Sequence, residues 1–298
     1  MSWYKEDKDI WKELIETVAA ETARSNTMVE KDAIQSMFLN NLAESGLSFV
    51  FKGGTSLSKV YGLIDRFSED IDLSMTHKPT ESQKKNSKKA IIDAGKSLEL
   101  VLVNEDQVFS RHDYNIYEFK FESLFSDEPG EILVETNFFI DAYPAEVRKV
   151  NSFIEAFCKN SKISVNLPVA LSQAEMFVQS VERTFIDKVF AVCDYKLQNM
   201  QNRDSRHLYD VAKLIDHVEF NEDFKRLVKD VRKDRSKLKN NLSAQPQYNI
   251  PDLLKEIIDS HFYASDYNDI TTKLLYEDYP YEKAIENGIT KVIDSGMF

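Results

Sequence analysis

One stretch constrains the fold of this 298-residue chain more than any other, residues 47–75. A short apolar run, Leu47–Phe51, reads as a strand and stops at the paired glycines Gly53-Gly54. Thr55–Leu63 reads as a helix starting directly after them, and Ile71–Met75 as a second strand. That strand is entered through Ser68-Glu69-Asp70-Ile71-Asp72. Side chains alternate between the two faces of a strand, so Asp70 and Asp72 leave one face together while Ile71 goes into the core.

The remaining chain extends this unit. Residues 6–22, with Ile10, Leu14, Ile15 and Val18, and residues 30–42, with Ile34, Met37, Phe38 and Leu42, carry apolar groups at helical spacing. Residues 80–100 read as a polar, lysine-bearing helix. Tyr114–Phe121 and Gly130–Ile140 read as two strands, and Asp127-Glu128-Pro129-Gly130 between them is a turn signal, so they form a hairpin. Helices are predicted at 147–159, 180–198, 205–217, 221–240, 251–260 and 281–294. The expected class is α+β and bilobed: a mixed sheet with flanking helices over residues 1–165, and a mostly helical lobe over residues 166–298 that completes an active-site cleft. Only 8 glycines and 7 prolines are present, which argues against a β-sandwich or a disordered linker.

Cys158 and Cys193 stand alone in apolar contexts, with no metal spacing and no disulfide framework, which points to a reducing cytoplasm. No run approaches the ~20 apolar residues of a membrane helix, so no membrane association is expected. The net charge of −12 is a poor fit to nonspecific coating of nucleic acid. It leaves room for a local basic track: Arg226 to Lys239 holds seven basic residues, Arg232 and Lys233 among them, against two acids.

Two carboxylates as close as Asp70 and Asp72 repel unless a cation sits with them. A hard divalent cation, Mg²⁺ or Mn²⁺, is the natural partner, because Mg²⁺ is held by one or two carboxylates plus substrate phosphates. Glycines opening a helix let backbone N–H groups approach phosphate closely. Gly53 and Gly54, with the hydroxyls of Thr55 and Ser56, are therefore candidate nucleotide-binding residues. Ser68 is a further candidate phosphate contact; its structural alternative is capping at the strand entry.

Lys52-Gly53-Gly54-Thr55-Ser56-Leu57 followed by Arg66-Phe67-Ser68-Glu69-Asp70-Ile71-Asp72 resembles the signature of the AbiEii/AbiGii family, which includes the MenT toxins. These are nucleotidyltransferase-like toxins of bacterial toxin–antitoxin and phage-defence systems, distant relatives of the DNA polymerase β superfamily. Glu182-Arg183-Thr184-Phe185 leading to Lys188 resembles a second stretch of the family, with Asp187 where the pattern has Glu. Arg203 to Asp210 resembles a third, R-x-x-R-H-x-x-D.

The resemblance implies a polymerase-β-like N-terminal domain and catalytic roles for Asp70, Asp72, Lys188 and Asp210. Lys188 would also bind triphosphate, and Asp210 would act as general base or orient Lys188. Glu135 is implied as a third metal-binding acid; it sits mid-strand, where an unpaired acid is costly to bury. Its alternative is a solvated face shared with Leu133 and Asn137. Arg66, Arg206, His207, Arg232 and Lys233 are candidate phosphate or RNA contacts. The implied reaction moves NMP from an NTP to an RNA acceptor, foremost the tRNA 3′ end, and the implied partner is a cognate antitoxin. Nucleotidylation of a protein or small molecule, and a non-catalytic NTP-binding module, are the competing readings.

Overall fold

The computed structural model describes residues 7–68, 70–161, 175–202 and 204–298. Two compact units divide the chain. The first comprises the described residues of Met1–Gly62 and Ser68–Gln179, the second those of Leu63–Phe67 and Ser180–Phe298. The expected boundary at residue 165 lies outside the described residues.

The first unit is built on a seven-stranded mixed sheet. Its strands are β1 (Val50–Lys52), β2 (Asp70–Ser74), β3 (Val101–Leu102), β4 (Tyr114–Phe121), β5 (Gly130–Asn137), β6 (Ala145–Lys149) and β7 (Glu175–Gln179), in the order β3-β4-β5-β2-β1-β7-β6. β2 runs parallel to β5 and β1 parallel to β7; the other neighbours are antiparallel. The hairpin read from the sequence is present, with Phe121 opposite Gly130. Residues 145–149 correct a helix prediction: they form β6, and the helix begins only at Phe153. Antiparallel pairing of Ala145–Lys149 with Glu175–Gln179 supplies the backbone partners that override local propensity there.

Helices α1 (Lys8–Thr22), α2 (Asn26–Glu44), α4 (Glu81–Ser97) and α5 (Phe153–Asn160) share one core with the sheet. Trp11, Phe38, Ile91 and Ile154 from the helices pack with Phe51, Ile71, Leu73, Phe119 and Val134 from the strands. The helix starts follow side-chain capping rules. Ser25 accepts from Met28 N–H at α2, Thr80 and Gln83 form a reciprocal capping box at α4, and Ser152 accepts from Glu155 N–H at α5. The other sheet face carries the alternate residues. Tyr114 and Ile116 on it are exposed, and Asp70, Asp72, Leu133, Glu135 and Asn137 are half-buried. Between β1 and β2 the chain forms α3 (Gly53–Ser56), prolonged by a π-helical turn over Leu57–Tyr61. Lys59 in that turn is buried against Asp32 of α2 and also donates to Ser36 Oγ, which ties the turn to the helical layer.

The second unit is helical: α6 (Val181–Leu197), α7 (Arg206–Leu214), α8 (Glu222–Arg235) and α9 (Ile250–Asp259), followed by shorter turns over 264–274 and 281–295. Ser180 caps α6 by accepting from Arg183 N–H, as its position before an apolar stripe suggests. Phe185, Phe190, Leu208, Leu214 and Leu254 are fully buried. The segment Leu63–Phe67 belongs to this unit through backbone pairing. Arg66 bridges Leu275, Phe67 N–H donates to Leu274 O, and Tyr276 N–H donates to Asp65 O. Among the described residues no helix is long and apolar enough to cross a membrane.

Candidate active site

Sheet register gathers the carboxylates of the first unit. Asp72 on β2 is the Cα partner of Glu135 on β5, and Lys52 on β1 is the partner of Asp72 from the other side. All three side chains leave the face opposite the helices, and Asp70, two residues before Asp72, shares it. Glu135 does stand on the same face as Leu133 and Asn137, with Ile132, Val134 and Thr136 turned to the core. That face is the one Asp70 and Asp72 use, so the two sequence readings of Glu135 describe one geometry. Burial pushes the Glu135 carboxyl above its ordinary value and Asp72 pushes it further, while Lys52 and a 3.0 Å hydrogen bond from Tyr114 Oη pull it back. Lys52 was absent from the sequence-derived site. Its place depends on the antiparallel β1–β2 register across an intervening helix, which sequence spacing does not reveal.

The glycine turn closes on the same group. Gly53 has φ +77°, in the left-handed region that favours glycine, and a Cβ placed there would stand 1.9 Å from Asp72 Oδ2. The backbone therefore lies directly against the carboxylate. The hydroxyls proposed for phosphate are turned inward. Ser56 Oγ donates to Gly53 O at 2.9 Å, and Thr55 Oγ1 bonds both Asp70 O and Ser68 Oγ, the latter at 2.9 Å. The Thr55 hydroxyl is the donor in both contacts, shared between Asp70 O and Ser68 Oγ. Thr55 thus staples the glycine turn to the start of β2. Thr55→Val is expected to lower the unfolding free energy by about 1–2 kcal/mol, by leaving Asp70 O and Ser68 Oγ short of a partner; chemical denaturation of the full chain measures it.

Three acids on one strand face, beside a turn whose Cβ position is taken up by a carboxylate, suit a hard cation with oxygen ligands. Among the described residues no group of three His, Cys, Asp or Glu side chains is already drawn together as a metal cage. Asp70, Asp72 and Glu135 are neighbours along and across strands rather than a closed ligand set.

The second unit holds a different cluster. Asp210 on α7 is fully buried. Arg66 grips it with both arms, Nε to Oδ1 at 2.6 Å and Nη2 to Oδ2 at 2.8 Å. Lys188 Nζ on α6 lies 2.9 Å from Asp210 Oδ2 and 3.1 Å from His207 Nδ1. Burial alone would raise the Asp210 carboxyl, but Arg66 and Lys188 hold it well below the usual carboxylate range. Burial lowers Lys188, with Asp210 opposing and Arg66 reinforcing. Burial and then Lys188 bring His207 down to about 4, so its ring is neutral at physiological pH. Arg66 is enclosed within this ion cluster, at 2 % exposure. Arg206 is half-exposed and paired with Asp204 at 3.0 Å.

On α8 the basic run divides. Arg232 donates to the carbonyls of Ala244, Gln245 and Tyr248, and Arg235 is held by Asp187 and Asp194. Lys229 and Lys233 are exposed.

A family model described as nucleotidyl transferase AbiEii toxin, type IV TA system, matches residues 37–287. The chain belongs to the AbiEii nucleotidyltransferase toxin family. The matched span contains Gly53, Asp70, Asp72, Glu135, Lys188 and Asp210, hence both clusters. Solved structures share the fold. A protein from Helicobacter pylori, described as a candidate nucleotidyltransferase, aligns over 92% of this chain and 97% of its own, with a TM-score of 0.50 and 19% identity. MenT4, a nucleotidyltransferase toxin from Mycobacterium tuberculosis, aligns over 94% of this chain and 88% of its own, with a TM-score of 0.52 and 14% identity. A search of curated proteins gives no match. As a member of this family the toxin is a nucleotidyltransferase, with an NTP as substrate and an antitoxin as counterpart.

Proposed function

We propose that the toxin transfers a nucleoside monophosphate from an NTP to an RNA hydroxyl, foremost the 3′ end of tRNA, in a divalent-cation-dependent reaction that blocks translation. The observation that carries this reading is the single sheet face on which Asp70, Asp72 and Glu135 stand together, with the Gly53 backbone against Asp72. Asp70, Asp72 and Glu135 would hold Mg²⁺ or Mn²⁺, which when bound supplies positive charge to the reacting phosphate oxygens. In the transfer the acceptor oxygen bonds to the α-phosphorus and the bond to pyrophosphate breaks. Positioning and electrostatics carry most of such catalysis.

In this reading the glycine turn offers backbone N–H groups to the triphosphate, and Ser68, at the mouth of β2, adds a hydroxyl. Lys188 contributes a positive charge. Two of its three N–H groups are used by Asp210 and His207, and the third has no partner among the described residues. Asp210 orients Lys188 and Arg66. A carboxylate enclosed by two cations, with no exposed surface, is a poor general base, which favours this role over proton abstraction. Arg66 and Arg232 act as structural ties, while Lys233 and Arg206 are the members of the basic set left accessible for RNA phosphates. A body charge of −12 favours a defined docking site over general RNA affinity.

The test is incubation of the protein with Mg²⁺, each labelled NTP in turn, and total RNA, total cell protein or small-molecule acceptors, followed by sequencing of labelled RNA ends. Label is expected at tRNA 3′ ends with the wild type and not with Asp70→Ala. Label confined to protein or small molecules overturns the RNA acceptor. RNA labelling and growth inhibition unchanged in Asp70→Ala overturn the site.

A further inference from the structure

Lys188 is aimed from two sides, and one of them is not a charge. Its ammonium has only hydrogens to give, so His207 Nδ1, at 3.1 Å, is the acceptor of that contact. Asp210 Oδ2 lies 3.7 Å from the same ring nitrogen, outside hydrogen-bond reach. With Nδ1 accepting, the ring hydrogen of the neutral imidazole resides on Nε2. Tyr195 of α6 stacks on His207 with centroids 6.1 Å apart and an interplanar angle of 16°. Asp210 and His207, three residues apart on α7, therefore take two lysine hydrogens from one helix face.

We propose that His207 is a positioning residue of the transfer reaction: a neutral imidazole whose inner nitrogen accepts from Lys188 and, together with Asp210, leaves one ammonium N–H for the triphosphate. The proposal rests on the reading of Lys188 as the triphosphate-binding lysine. It gives the histidine of the R-x-x-R-H-x-x-D stretch a role through Lys188 in place of a direct phosphate or RNA contact.

The charged groups around the pair favour this arrangement. Lys188 faces Asp210 and Arg206 of α7 and Arg66 of the Leu63–Phe67 segment. His207 faces Lys188, Asp204 and Asp210. A protonated imidazole here would place a third positive group beside Lys188 and Arg66, with Asp210 already shared between those two.

Two measurements on the full-length protein test it. The first needs no substrate: ¹⁵N NMR of histidine-labelled protein between pH 6 and 8, with the His207 signals identified by their loss in His207→Asn. The neutral Nε2–H tautomer throughout is the expected result; an Nδ1–H tautomer or an imidazolium overturns the proposal. The second uses the geometry of amide replacements. His207→Asn puts a polar atom near the Nδ1 position, whereas His207→Gln puts it near Nε2. The Gln variant is expected to lose roughly 10- to 100-fold in kcat through misdirection of Lys188, and the Asn variant to recover most of that loss. Equal losses, or a better Gln variant, overturn it. Because the tautomer is read without turnover, absence of any transfer to RNA would sink the functional reading and still leave the His207 assignment decided by NMR.

Discussion

Asp210→Asn is expected to cost about 3–5 kcal/mol of unfolding free energy, the range for breaking a buried ion pair from one side. The substitution is nearly isosteric, so the loss would not come from a cavity. It comes from Arg66 and Lys188, at 2 % and 8 % exposure, which would share one neutral amide in place of a carboxylate. Asp216→Asn is the control. Asp216 pairs with Lys291 at 3.2 Å on the surface, where a lost pair is worth about 0–1 kcal/mol. Chemical denaturation of both variants compares them, and a cost below that of the control would show that Asp210 is not the anchor of the cluster.

The same replacement changes the response to acid. Asp210 has its carboxyl depressed in the folded chain, so its contribution is complete above the ordinary Asp value of about 4. It is lost as the pH falls through the lower folded value. The wild type should therefore lose stability more steeply than Asp210→Asn below about pH 4, and the two curves should run parallel above it. Transfer activity in Asp210→Asn is expected to vanish with the ordering of Lys188, whichever nucleotide is used.

The glycine turn and the two strand aspartates were legible because strand alternation and glycine geometry act within a few residues. Asp70 and Asp72 stand on the strand where period-two spacing puts them, and the helix expected from Thr55 begins two residues earlier, at Gly53. What the sequence concealed depends on partners far along the chain. Arg66 lies four residues before Asp70, inside a motif that suggests phosphate binding, yet its partner Asp210 is 144 residues away. Nothing near Arg66 signals a buried carboxylate. Residues 147–149 read as the start of a helix over 147–159; only pairing with β7 places them in a strand. The basic run on α8 looked uniform, but Arg232 and Arg235 are consumed by backbone carbonyls and by Asp187 and Asp194, and only packing distinguishes them from Lys233. Lys188 and Asp210 were placed together by family resemblance, and the physical reason, one carboxylate serving two buried cations, is visible only with Arg66 in view.

Gly53→Ala should damage stability and activity together, by one cause. A left-handed alanine costs about 1–2 kcal/mol on its own. Here the added Cβ would also stand 1.9 Å from Asp72 Oδ2 and 2.9 Å from its Cγ, distances no folded structure tolerates. Either the turn or the Asp72 side chain must move. With Asp72 in the role proposed above, a displacement of about 1 Å is enough for a loss on the order of 100-fold, so kcat/KM for the NTP is expected to fall by at least that much. A double-mutant cycle separates the clash from the backbone strain. Asp72→Ala removes the carboxyl atoms and leaves only the Asp72 Cβ position, 3.2 Å from the new methyl. The stability cost of Gly53→Ala should therefore shrink in the Asp72→Ala background, with a coupling energy of about 1 kcal/mol or more. A cost identical in the two backgrounds would mean that Gly53 is required for its φ alone, and that the close approach of the turn to Asp72 has no energetic weight. A reduced cost would tie Gly53 to Asp72 by direct contact: the turn needs no Cβ because the carboxylate occupies the space a Cβ would fill.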